Sequence, residues 1–387
     1  MSSKKKKRKI CFVITSTIHY SRNKLVLEEL KKHKDVELQI VVGASALLPD
    51  YGDVLSTMKK DGFKCDAKII MTLAGGSPVA MAKTAGVGIT EFATVFENLE
   101  PDIVIVRGDR YEMLAVALTA SYLNIPVAHI EGGDRSGTID ESVRHAITKL
   151  SHIHFPTNDL SMNRIIKMGE SSDYIFNVGS PDIEFIAKNN YKAHNKLLNY
   201  LGVGDVVDIR KPYIIVSNHP VTTEYGKNRK NTEILLNAIH ELNIPTIWFW
   251  PNVDAGTDEV SKAIRAFREN KKPKHIRFIK YLPANEYTGL LKKTACLVGN
   301  SSSGIKECSY LGVPAVNIGT RQNGRMRAEN IVDVSYNKAE IKKAIKKQIA
   351  GGRYKASHIY SKDGTSKEIA NTLASIEPYV QKHFHDK

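Results

Sequence analysis

The chain is poor in the residues that staple small folds: its four cysteines, Cys11, Cys65, Cys296 and Cys308, include no CxxC pair. A disulfide scaffold or thiolate zinc site is not expected, and buried free thiols are. The thirteen histidines form neither HxxxH nor HExxH, so no protein-held metal is predicted. No apolar run approaches the roughly 18 residues that span a bilayer. The N-terminus carries the charge of a signal peptide's first segment without a long apolar core behind it, so a cytoplasmic protein with no membrane partner is expected.

What is present describes a globular chain, with 42% hydrophobic and 25% charged residues. At 387 residues it is too long for one ordinary core, and two domains are expected. Of the net charge of +15, six units come from the run KKKKRK at Lys4 to Lys9. That run reads as a disordered solubilising leader over residues 1–9, because no nucleic-acid-reading motif accompanies it. No nucleic-acid partner is expected. A moderately basic body suits an anionic sugar-nucleotide.

Apolar, β-branched segments at Ile10 to Ile14, Glu37 to Val42, Ile103 to Val106 and Val127 to Ile130 alternate with helical patterns such as Lys24 to Lys32 and Tyr111 to Tyr122. Such alternation implies βαβ units and a parallel sheet. The pattern lapses into a short polar helix and loop at Tyr191 to Lys211. It resumes with Pro212 to Ser217, Thr246 to Trp250, Ile276 to Ile279, Ala295 to Val298 and Ala315 to Ile318. The expected class is α/β, with two doubly wound, Rossmann-like domains at 10–190 and 191–365 facing each other across a cleft. Residues 366–387 are expected to pack back on the first domain as a helix, Ser366 to Phe384. Ligands should bind where the strands end.

The stretch Val298 to Asn330 has the build of a nucleotide-diphosphate site. A buried strand runs into a turn at Gly299 to Gly304, then a helix from Ile305 to Leu311 stopped by Gly312 and Pro314. A helix N-terminus favours phosphate oxygens. Ser301, Ser302 and Ser303 add donors, Glu307 offers an acceptor-only carboxylate for ribose hydroxyls, and Arg321, Arg325 and Arg327 supply charge. The competing reading is an ordinary capped helix with a solvated basic loop. Neither the Walker nor the GxGxxG spacing occurs in this stretch.

Three acidic residues lie at strand ends or helix starts of the first half: Asp109 in VRGDRYE, Glu131 in HIEGGD and Asp140 in SGTIDES. Thr138 to Glu141 reads as a capping box, which puts Asp140 in a first helical turn whose field favours its ionised form. Glu131 is expected to have a raised pKa if the opposing domain shields it. The alternatives are capping, solvation, or ion pairs with Arg110, Arg135 or Arg144. In the second half, His219 ends a strand before Pro220 and can bind phosphate or shuttle a proton. Asn252 ends the next strand in the same way and can reach a diphosphate or uridine, or simply serve its turn.

The motifs GDR at 108–110, HIEGGDRSGTIDESVRHAITKL at 129–150, HPVTTE at 219–224, PNVDAG at 251–256, GNSSSG at 299–304 and GTRQNGR at 319–325 resemble those of the hydrolysing UDP-N-acetylglucosamine 2-epimerases of sialic-acid biosynthesis. The resemblance runs over about residues 10–375. It implies a glycosyltransferase-B-like fold, a UDP-sugar substrate, no cofactor and a homo-oligomer, dimer or tetramer. It also implies loss of the C2 proton and of UDP to form a 2-acetamidoglycal, then addition of water to release a free C2 epimer such as N-acetylmannosamine. Asp109, Glu131 and Asp140 match the acid/base positions. Ser21, Arg110, His219, Asn252, Ser301, Ser302, Glu307 and Arg321 match UDP ligands, with Arg144, His145 and Arg325 nearby. The family's first loop, close to Thr-Arg-Ala-Asp-Tyr, is replaced here by Thr15-Ser-Thr-Ile-His19-Tyr20-Ser21-Arg22. His19 or Arg22 is expected to stand in for the missing arginine, and the change points to a different sugar, such as a 6-deoxy or diacetamido hexose. A non-hydrolysing epimerase, a glycosyltransferase of the same fold and a catalytically silent nucleotide-sugar binder are the competing functions.

Overall fold

The computed structural model describes residues 6–386. Its first sheet holds β1 (Arg8–Ile14), β2 (Val36–Gly43), β3 (Ala67–Ile69), β4 (Ile103–Arg107), β5 (Val127–Ile130) and β6 (Ile153–Phe155). They pair in the order β3-β2-β1-β4-β5-β6, all parallel. The second sheet holds β7 (Gly202–Gly204), β8 (Ile214–Ser217), β9 (Thr246–Phe249), β10 (Ile276–Ile279), β11 (Cys296–Gly299), β12 (Ala315–Ile318) and β13 (Ile331–Val334), in the order β13-β12-β11-β8-β9-β10-β7. Only β7 runs antiparallel, against β10. Without that edge strand the two sheets share one winding order, and each reverses direction once, at β1/β4 and at β8/β11. The class is the expected α/β pair of Rossmann-like units.

Strands covered by helices on both faces must be apolar throughout, and period-2 geometry then divides them between two cores. Ile10, Phe12 and Ile14 pack on one face with Val26, Leu27 and Leu30 of the helix Thr17–Lys32. Cys11 and Val13 pack on the other, with Phe92, Phe96 and Val116. In the second sheet Ile214 and Val216 face Leu235, Ile239 and Ile264, whereas Ile215 faces Leu290 and Leu291. Cys11, Cys296 and Cys308 are buried free thiols, and Cys65 is half-buried.

Gly299 shows how closely the chain approaches itself at the second reversal. Its φ is +126°, and a Cβ there would lie 2.2 Å from the Ser217 carbonyl oxygen, so only glycine fits between β8 and β11.

Three expectations change at the chain ends and edges. Residues 1–5 of the expected leader lie outside the described residues, but Arg8 and Lys9 belong to β1. Arg8 donates to the carbonyls of Leu373 and Ile376 at 2.8 and 2.7 Å, so its charge caps a helix. The last helix spans Thr365–Ser375 only. Pro378 disfavours helical backbone in the residue before it, and an extended strap follows. Of the strands that the sequence reading did not anticipate, β3, β6 and β7 have only three residues each, and β13 is a partly exposed edge strand. Among the described residues no helix is long and apolar enough to cross a membrane.

The final helix places Ile369, Ala370 and Leu373 in the first domain's core. Leu373→Ala is expected to destabilise that domain by about 2–5 kcal/mol, the usual range for a buried leucine. Urea unfolding followed by first-domain probes checks this; an unchanged midpoint would remove the helix from that core.

Candidate active site

The first wall of the cleft comes from the carboxyl ends of β4 and β5. Gly108 (φ +76°) turns the chain after β4 and brings Asp109 and Arg110 to the mouth of the cleft. After β5, Glu131 adopts φ +69°, a left-handed conformation that costs a non-glycine residue about 1 kcal/mol or more. The strain is held by the strand-like bond from the Glu131 N–H to the Phe155 carbonyl, at 3.0 Å. Further on, Thr138 caps the helix Ile139–Leu150 by accepting from the Asp140 N–H at 3.2 Å. The expected capping box is displaced: the Glu141 carboxylate accepts from the Ser136 N–H, not that of Thr138.

The second wall is tied together by Asn300. Its side chain accepts from the His219 N–H at 2.7 Å and donates to the His219 carbonyl at 2.8 Å. Its own carbonyl accepts from Gln322 and Arg321, at 2.8 and 3.3 Å. The helix expected over Ile305 to Leu311 is only Glu307–Leu311, preceded by a single tight turn at Ser302–Gly304. Such a short helix has little field to offer an anion. The positive charge comes instead from Lys306, Arg321 and Arg325.

The walls meet through opposite charges. Lys306 Nζ lies 2.5 Å from Glu131 Oε1, Arg325 lies 3.2 Å from Asp134 and 3.8 Å from Asp109, and Arg321 lies 4.0 Å from Asp140. In the reverse sense, Arg22 pairs with Glu307 at 2.6 Å and Arg110 with Asp254 at 3.1 Å. A backbone bond from the Gly137 N–H to the Arg321 carbonyl, 3.0 Å long, joins the same loops.

This network sets the protonation states. Burial alone would raise Glu131, but Arg107 and Lys306 together hold it well below the usual carboxylate range, contrary to the raised pKa expected from shielding. Asp140 moves the other way: burial and the Asp254 carboxylate push it up against Arg321, so the ionised form expected from the helix field is disfavoured. Burial, with Arg110, Arg107 and Arg22 beside it, lowers His19 far below an ordinary imidazole. His19 is bonded to Thr15 Oγ1 at 3.1 Å, whereas Arg22, the other candidate for the missing arginine, lies against Glu307. Burial and then Arg321 lower His219 to about 3. Its Nδ1 accepts from the Asn252 N–H at 3.2 Å, which leaves the ring proton on Nε2, facing Ser217 Oγ.

The floor of the cleft gathers His19, Arg22, Asp109, Glu131, Arg144 and Arg325 of the expected residues, with Ser302 from the serine turn. Arg144 pairs with Asp109. Arg110, Asn252, Asp140 and Arg321 cluster one step away around Asp254. Ser301 caps the turn that carries Ser302. Three residues do not join. The Ser21 hydroxyl donates to the Thr17 carbonyl of its own helix, His145 lies 3.9 Å from Glu141, and Arg327 pairs with Asp333 at 3.0 Å. Arg107, Asp182, Asp254 and Lys306 escaped the sequence reading. The available signals were a charged residue ending the apolar strand IVIVR and, for Asp254, its place in PNVDAG beside Asn252. Among the described residues no group of three His, Cys, Asp or Glu side chains is placed to hold a metal ion.

Comparison with known proteins bears on the family and the fold. The sequence profile described as UDP-N-acetylglucosamine 2-epimerase matches residues 28–374. The UDP-N,N'-diacetylbacillosamine 2-epimerase (hydrolyzing) of Legionella pneumophila is 34% identical over 374 residues, covering 97% of each chain. The UDP-N-acetylglucosamine 2-epimerase of Neisseria meningitidis serogroup B is 30% identical over 388 residues, covering 98% of this chain and 99% of that protein. Among solved structures, the UDP-GlcNAc 2-epimerase from Neisseria meningitidis bound to UDP-GlcNAc superposes with a TM-score of 0.76 at 18% identity, covering 94% of this chain and 99% of that one. At that identity the likeness bears on the fold.

A carboxyl whose pKa is raised by folding weakens the folded state above its unfolded pKa, and the penalty vanishes below it. Asp140→Asn is therefore expected to raise the unfolding midpoint at pH 7. The gain over wild type should shrink as pH falls to the ordinary carboxylate value of 3.8. Calorimetric melts of both proteins across this range check it; a lower midpoint at pH 7 would show that the ion pair with Arg321 outweighs burial.

Proposed function

We propose, for a chain that belongs to the UDP-N-acetylglucosamine 2-epimerase family, that it is a hydrolysing 2-epimerase of a UDP-2-acetamido sugar. The observation that carries this reading is the pairing of Asp109, Glu131 and Asp140 on one wall with Lys306, Arg321 and Arg325 on the other. In the reaction a base removes the C2 proton, the electron pair forms the C1–C2 double bond, and the C1–oxygen bond breaks as UDP leaves. Water then adds its oxygen at C1 while a proton returns to C2 from the opposite face, giving the free epimer and UDP.

The charge states support a division of labour. Asp109, paired with Arg144, and Glu131, held down by Arg107 and Lys306, supply negative charge. Asp140, pushed up by burial, is the group suited to hold and give a proton. Arg22, Arg321 and Arg325 take the charge of the departing diphosphate. Glu307 Oε2 is buried without a hydrogen-bond partner, which suits an acceptor for ribose hydroxyls.

For the sugar we infer a 6-deoxy-2,4-diacetamido hexose. The relative that is 34% identical is named for a diacetylbacillosamine sugar, and the Thr15–Arg22 segment is altered beside the pocket. Incubation with UDP-N-acetylglucosamine and the UDP-diacetamido sugar side by side, in heavy-oxygen and deuterated water, tests both parts by NMR. Label at C1 of a free sugar and deuterium at C2 are expected, with the diacetamido sugar consumed faster. A UDP-linked epimer without free sugar would sink hydrolysis, and faster use of UDP-N-acetylglucosamine would sink the sugar assignment.

A Cβ at Gly137 would lie 1.8 Å from the Thr320 carbonyl oxygen, so Gly137→Ala should keep the walls apart. Turnover is expected to fall about a hundredfold, the scale of a 1 Å misplacement, with UDP affinity retained. Unchanged turnover would mean that this contact plays no part in closing the cleft.

A further inference from the structure

Beneath the cleft the ion pairs close into a ring. Lys306 holds Glu131 at 2.5 Å, and Arg107 holds the same carboxylate through Nε at 3.3 Å and Nη2 at 3.1 Å. Arg107 also bonds Asp182, whose other oxygen lies 3.5 Å from Arg22 Nε. Arg22 bonds Glu307 at 2.6 Å, and the peptide bond between Glu307 and Lys306 completes the circuit. Three cations alternate with three anions, so the ring is neutral as a whole. Arg22, Arg107, Glu131 and Asp182 come from the first domain's side, and Lys306 and Glu307 from the second.

We propose that Asp182 is a positioning residue for the reaction, holding Arg107 on Glu131 and Arg22 on Glu307 at the same time. It touches neither the serine turn nor the acid/base carboxylates, and it belongs to none of the motifs that mark the two walls. The proposal rests on the reading of Glu131 as part of the proton-transfer wall and Glu307 as a ribose acceptor.

Local structure explains why Asp182 can do this. It sits in the first turn of the helix Pro181–Lys188 and is 2% exposed. Ser180, at the cap of that helix, also donates to Glu131 Oε1 at 3.2 Å. One helix start therefore orients Glu131 both directly and through Arg107. Asp182 Oδ2 has no hydrogen-bond partner, and facing Arg22 at 3.5 Å it is poised between the two arginines. Removing a buried carboxylate with two cationic partners leaves both cations uncompensated. Here the stranded pair are the groups that aim the two working carboxylates.

Release of UDP by wild type, UDP affinity by calorimetry, and turnover of Asp182→Asn and Asp182→Glu test the proposal. The Asn variant removes the charge at nearly constant volume. Because both arms of the ring are released, it is expected to lose about tenfold or more in kcat and several-fold in UDP affinity, and the Glu variant to recover at least about a third of wild-type kcat together with UDP affinity. Wild-type kcat in a folded Asn variant overturns the proposal. So does a loss of kcat and UDP affinity in step that Glu fails to rescue. If the Asn variant does not melt cooperatively, Arg22→Met decides: Asp182 then draws Arg107 from Glu131, so kcat should fall about tenfold together with UDP affinity. A change in KM alone would make Arg22 a simple nucleotide contact and overturn the ring. Wild type that releases no UDP from either sugar refutes the functional reading, whereas active wild type with indifferent variants refutes only the role of Asp182.

Discussion

Opposite charges buried face to face across a cleft are the constraint on which the rest of this structure depends. A lone ion in such a site would lose far more hydration than the protein returns, so each must find a partner of opposite sign. Lys306 finds Glu131, Arg325 finds Asp134 and Asp109, and Arg22 finds Glu307. The partners lie on opposite walls, so the pairing works only when the walls are close. Glycine at 137, where the two loops meet, permits that approach.

The same pairing explains how a static set of ions can serve a reaction. On the proposed reading, a diphosphate entering the cleft competes with carboxylates for Arg321 and Arg325, and what it takes from them it releases for proton chemistry. Asp140, raised by burial and Asp254 and lowered by Arg321, would be raised further as Arg321 turns to the diphosphate. Glu131 is clamped by Arg107 on its own side as well as by Lys306, so its charge persists. The carboxylates thus differ in task because they differ in neighbours.

Most of the four-residue inner strands were legible in the sequence almost to the residue: Val127–Ile130, Ile276–Ile279 and Ala315–Ile318, each with three apolar residues, lie where alternation put them. Burial on both faces leaves such a run no other home. Short edge strands such as Ala67–Ile69 are settled by a neighbour's free hydrogen bonds, which leave no mark in composition. The end of the last helix at Ser375 was misread because its apolar spacing continues past the point where backbone at Glu377–Pro378 turns unfavourable. The basic residues at the start were read as a leader, but Arg8 caps a helix 365 residues away in the chain.

Sequence alone determined the winding class, the two walls and most of the residues on them, because periodicity and motif spacing are local properties. It did not determine how those residues are charged. The helix field was expected to favour ionised Asp140, and shielding to raise Glu131; in the folded chain burial and then Asp254 shift Asp140 upward, and Arg107 and Lys306 outweigh burial to lower Glu131. Nor could it find Asp182, whose importance lies in touching two arginines that belong to different strands and helices. A protonation state depends on every charge within a few ångströms, and only the folded chain decides which charges those are.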